Sequence, residues 1–82
     1  MMVPVDPGLT VELVSPPDRH FLVAAIMLEG QQLAEVNVEK EDRVSVEIYS
    51  HRSGTPWNLD IKVLQDALTE AARLLQERTR RG

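Results

Sequence analysis

The sequence predicts an α+β fold: a four-stranded antiparallel meander sheet with one C-terminal helix packed on one face, in the order β-β-β-β-α. Three observations predict it. Segments 9–14, 33–39 and 43–50 alternate apolar and polar residues, the period of a half-buried strand. Short connections rich in Pro, Gly or charge separate the strands, and such connections favour antiparallel neighbours. From residue 61 the period changes: Ile61, Leu64, Leu68, Ala71 and Leu75 recur at steps of three and four, as on an amphipathic helix.

Each element follows from its residues. Residues 1–8 carry Pro4, Pro7 and Gly8 and are expected to be an irregular lead-in. Leu9 to Val14 forms the first predicted strand. Ser15-Pro16-Pro17-Asp18 stops it, because proline cannot donate a ladder hydrogen bond. His20 to Leu28 is apolar on both faces; its length and Gly30 favour a strand, with a short helix as the alternative. Glu29-Gly30-Gln31-Gln32 reads as a turn.

The next two strands run in phase. Ala34, Val36 and Val38 share one face, with Leu33, Glu35, Asn37 and Glu39 on the other. After Lys40-Glu41-Asp42, Val44, Val46 and Ile48 are expected in the core. Arg43, Ser45, Glu47 and Tyr49 then face outward. The sheet is expected over 9–50, a loop over 51–59 and the helix over 60–79. Asn58 or Asp60 suits its N-cap, and Lys62 with Asp66 and Glu77 with Arg81 are spaced for ion pairs. The helix is expected to cover Val36, Val38, Val44, Val46 and Ile48.

Composition limits the function. Eighty-two residues make a single domain over 1–82. The longest apolar run, Phe21 to Leu28, has eight residues, far short of the roughly 20 of a membrane-spanning helix. With no cysteine, the chain has no disulfide and no thiolate chemistry. That absence, and an N-terminus unlike a signal peptide, lead us to expect a cytoplasmic protein. A net charge of −4 opposes general nucleic-acid binding.

Several residues are candidate sites. Glu35, Glu39 and Glu47 project with Tyr49 from the outer face of the last hairpin, either as a solvated surface or as a docking surface for a basic partner protein. His51-Arg52-Ser53-Gly54 has the composition of an anion-binding loop, and also of many ordinary loops. His20 with Asp18 makes a poor metal pair, and no catalytic or metal-binding motif is present. Trp57 reads either as a plug over the end of the core or as an exposed binding anchor. Phe21, Val23, Ala25 and Met27 form a second apolar face on their strand. That face either builds a homodimer or lies beneath an N-terminal segment bearing Met2, Val3 and Val5.

The order of features carries a resemblance. An apolar strand meets Glu29-Gly30, then Leu33-Ala34-Glu35-Val36, then Val46-Glu47-Ile48-Tyr49. A loop closing on Pro56-Trp57 leads into a helix with Leu64, Ala67, Leu68 and Ala71. Over residues 21–75 this resembles small bacterial immunity proteins of polymorphic toxin systems, compact acidic α+β domains that bind and block a toxin. The resemblance implies an inhibitor that works by protein binding, with no chemistry or cofactor of its own. The expected function is therefore non-catalytic binding of a partner protein. A homodimeric accessory module is the alternative, and an enzyme or anion-binding domain using His51, Arg52 and Ser53 a further one.

Overall fold

The computed structural model describes residues 2–6, 8–40 and 43–81, with side chains through residue 77. The chain is α+β, with a five-stranded antiparallel sheet and one C-terminal helix. The strands are β1 (Met2–Asp6), β2 (Leu9–Val14), β3 (Val23–Leu28), β4 (Gln31–Asn37) and β5 (Ser45–Ile48), and the helix is α1 (Ile61–Arg81). They lie in the sheet in chain order, a meander with β1 and β5 at its edges. No helix is long and apolar enough to cross a membrane among the described residues.

The expected count of four strands is corrected to five, because the lead-in is a strand. β1 pairs antiparallel with β2, with Val3 opposite Val11 and Pro4 opposite Thr10. Pro4 concealed it, yet an edge strand tolerates a residue that donates no hydrogen bond. Val3 and Val5 pack against the core under the helix. They extend the sheet and do not fold over the face bearing Phe21, Val23, Ala25 and Met27.

β3 and β4 are joined by the two-residue turn Glu29-Gly30 between the paired Leu28 and Gln31. Both turn residues have positive φ, 50° and 80°, as a type I′ hairpin requires. The register then shifts: Met27 faces Gln32, while Ile26 faces Ala34. Leu33 is the extra residue of a bulge. The bulge takes Leu33 off the face it was expected to share with Glu35 and Asn37. It is buried in the core cluster instead.

Leu9, Val11, Ala24, Ile26, Ala34 and Val36 form the floor of the core, and Ala67, Ala71, Leu74 and Leu75 of α1 close it. Asp60 caps the helix, its Oδ1 accepting the N–H groups of Lys62 (2.8 Å) and Val63 (3.3 Å). Lys62 and Asp66 approach to 3.7 Å. Glu77 pairs with Arg73; the expected contact with the Arg81 side chain lies outside the described residues.

The helix does not cover the whole sheet. It packs on β1, β2, β3 and β4. Five strands about 4.8 Å apart are wider than one helix of about 10–12 Å. The unforeseen β1 draws α1 toward the opposite edge. Val44, Val46 and Ile48, expected in the core, are exposed.

Candidate functional site

Three regions hold the candidate residues: a polar network on the sheet face away from α1, the loop 51–55, and the strip of sheet that α1 leaves bare.

The network begins with the loop that follows Pro16-Pro17. Arg19 reaches back over the sheet, its Nη2 2.9 Å from Glu35 and 2.5 Å from Glu47. Those two carboxylates are directly opposed on β4 and β5. Like charges in that position repel, and the guanidinium between them cancels the repulsion. Asn37 Nδ2 donates to Glu35 (3.2 Å) and Glu47 (2.8 Å), and the Tyr49 hydroxyl donates to Glu35 at 3.5 Å. Burial works to lower the Arg19 pKa, but the Glu35, Glu47 and Asp18 charges outweigh it and hold it above the usual value. Burial, then the Glu35 and Glu47 charges, push the Tyr49 phenol up.

Glu39 fastens the next turn of the same loop. Its carboxylate accepts the N–H groups of His20 and Phe21, both at 3.1 Å, and lies 3.0 Å from His20 Nδ1. The His20 N–H is the main cause holding the Glu39 carboxyl below its usual range.

This changes the picture of an acidic solvated face. Glu35 is only 6% exposed and Asn37 is buried. Their charge and hydrogen-bonding capacity are committed within the chain. Glu47 and Tyr49 keep outward exposure. Of the second apolar face, Val23 and Ala25 are buried within the chain, Met27 is half-buried and Phe21 is exposed. An uninterrupted apolar patch for a homodimer is therefore not present there. Sequence reading missed Arg19, because no local pattern links it to carboxylates far along the chain.

The loop 51–55 has its backbone donors engaged. Arg52 N–H donates to Gln31 Oε1 (2.6 Å), Ser53 N–H to His51 Nδ1 (3.0 Å), Gly54 N–H to the His51 carbonyl (2.9 Å) and Thr55 N–H to Ser53 Oγ (3.4 Å). An anion nest needs such N–H groups unengaged, and here each has an acceptor. Among the described residues no group of three or more His, Asp or Glu converges to hold a metal ion.

The third region is the exposed face of β5 and the groove between it and α1. Leu33 and Ala34 of β4, Val46 and Ile48 of β5, Trp57 and Leu59 of the loop, and Ile61, Leu64 and Leu68 of α1 line an apolar groove of about 390 Å³. Ile48 is 69% exposed and Ile61 73%. Trp57 closes one end. Its Nε1 donates to the Tyr49 carbonyl (2.7 Å) and its ring meets His51 edge-on at 4.6 Å between centroids. It is half-buried against the core, and it also lines the groove, so plug and groove wall are one residue.

The outer edge of the groove is the free side of β5. Tyr49 N–H donates to the Leu33 carbonyl (3.0 Å). By the alternation of an antiparallel ladder, Ser45 and Glu47 also point their backbone groups at β4, while Val46 and Ile48 point theirs outward. The same two residues thus offer apolar side chains to the groove and unpaired backbone groups to the edge. Exposed edges of this kind invite pairing. Comparison with protein-family models, with curated proteins and with solved structures returns no match.

Proposed function

We propose that this chain is a non-catalytic protein-binding domain acting in the cytoplasm, and that its contact surface is the groove between β5 and α1. The apolar groove beside an open edge strand carries the reading. An apolar strip of this kind on a small acidic domain is a feature of interaction surfaces. Arg19, Glu35, Glu39 and Glu47 are engaged in holding the loop 15–22 to the sheet. Glu47 and Tyr49 are exposed on the opposite face of the same edge strand, where a basic partner that wraps around β5 would meet them. The resemblance to immunity proteins agrees with a partner that is blocked by being bound.

The test is a reconstituted complex. A partner recovered with the chain, or the product of the adjacent gene, is purified and titrated calorimetrically. Ile48→Asp and Ile61→Asp should each weaken binding at least tenfold, and Met2→Ser at the opposite edge should leave it unchanged. Unchanged affinity in both aspartate variants overturns the assignment of the surface.

A further inference from the structure

His51 Nδ1 stands at the end of a directional series of hydrogen bonds. The Ser53 N–H donates to it at 3.0 Å, and the Ser53 Oγ lies 2.7 Å away. A backbone N–H can only donate, so Nδ1 offers its lone pair and the imidazole proton sits on Nε2. Ser53 must then donate its hydroxyl proton to the same nitrogen. Its oxygen is left to accept, from the Thr55 hydroxyl at 2.8 Å and the Thr55 N–H at 3.4 Å. Every donor in the series points toward a neutral His51.

We infer that His51 is a proton-operated latch on the turn 53–55, closed when the ring is neutral and released when it is protonated. The latch goes beyond the protein-binding reading and does not depend on it. A proton on Nδ1 turns the final acceptor of the series into a donor. The Ser53 N–H then faces another donor and loses its partner. The Ser53 hydroxyl must turn round to accept from Nδ1, against the two Thr55 donors already on it. No apolar burial opposes the release, because residues 52–56 are all exposed. The Gly54 N–H bond to the His51 carbonyl and the Arg52 N–H bond to Gln31 do not involve the ring, so the release is confined to 53–55.

Trp57 feels the same proton. The imidazole meets the indole edge-on at 4.6 Å between centroids, and a cation beside an indole interacts with it differently from a neutral ring. A polar pocket of about 180 Å³ lies beside His51, lined by Glu29, Gln31, Trp57 and Asn58. Glu29, on the turn between β3 and β4, is the acidic group facing that pocket. Arg52 is the cation next to His51 in the chain, while Gln31 and Asn58 carry no charge.

Histidine side chains titrate between about pH 5 and pH 8, above the range in which ordinary carboxyls gain protons. Nuclear magnetic resonance of the full chain follows the His51 ring and the Ser53 amide through that range. Fluorescence follows Trp57, the single tryptophan. At the alkaline end the ring should carry its proton on Nε2. As it gains the second proton, the Ser53 amide should shift upfield and Trp57 emission should change, both at the midpoint of the ring. His51→Asn should keep the turn closed throughout, because an asparagine oxygen accepts the N–H two residues on and does not titrate. Its Ser53 amide and Trp57 emission should both be flat. His20→Asn, at the other histidine, should leave the response as it is in the unaltered chain. The latch is overturned if the neutral ring carries its proton on Nδ1, or if the ring stays neutral across the whole range. It is equally overturned if the ring titrates while Ser53 or Trp57 stays constant, if His51→Asn still responds, or if His20→Asn abolishes the response.

Discussion

The Arg19 guanidinium lies 2.9 Å from the Glu35 carboxylate, joining the loop after β2 to the middle of β4. Arg19 Nε is buried without a hydrogen-bond acceptor, so the pair holds its place through Nη2. Removing one partner of a shielded pair strands the other, whereas removing both does not. Arg19→Met and Glu35→Leu should each lower the urea midpoint. Arg19→Met combined with Glu35→Leu should recover part of the loss. A double variant as unstable as the sum of the two singles would show that the pair is not coupled.

Acid should loosen the same loop. The Glu39 carboxyl is held below its usual pKa chiefly by the His20 N–H, and the Glu70 carboxyl by the Arg73 side chain. A carboxyl depressed in the folded state stabilises fully above its unfolded pKa, about 4.3 for glutamate. That stabilisation is lost as the pH falls through the folded value. The urea midpoint should therefore be insensitive to these two groups between pH 7 and pH 5, and should fall below about pH 4. Glu39→Gln should make that decline shallower.

The groove residues and the core residues should respond oppositely to substitution. Ile48→Asp and Ile61→Asp change exposed positions and should alter stability by no more than about 0.5 kcal/mol. Ile26, fully buried beneath α1, should cost about 2–5 kcal/mol when cut to alanine. Equilibrium denaturation of the three variants measures both. A large loss in Ile48→Asp would mean that the groove belongs to the core.

Trp57→Phe deletes the hydrogen bond to the Tyr49 carbonyl and keeps most of the ring. It should cost about 1 kcal/mol. Trp57→Ala also removes the half-buried wall of the groove and should cost about 2 kcal/mol or more, below the value for a fully buried tryptophan. Thermal unfolding of the two variants separates the hydrogen bond from the packing.

Asp60→Ala leaves the Lys62 and Val63 N–H groups without their side-chain acceptor. It should lower stability by about 1 kcal/mol, and Asp60→Asn should restore most of it. Circular dichroism during denaturation reads both.

Local pattern alone determined much of this protein. The α+β class, the helix from near residue 60, a cap at Asn58 or Asp60, a turn at Glu29-Gly30 and the pairing of β4 with β5 each follow from residues close together in the chain. Side-chain period and turn chemistry act at that range. What tertiary structure decided depends on residues far apart. Val3 and Val5 complete a strand that Pro4 disguises, because β2 has a free edge to pair. That strand widens the sheet beyond what one helix covers, so α1 settles over β1 to β4, and Val46 and Ile48 become the floor of a groove. Arg19 finds Glu35 and Glu47 only because the meander stacks their strands. Period tells which side chains share a face, and the width of the sheet against the width of a helix decides which of them remain uncovered.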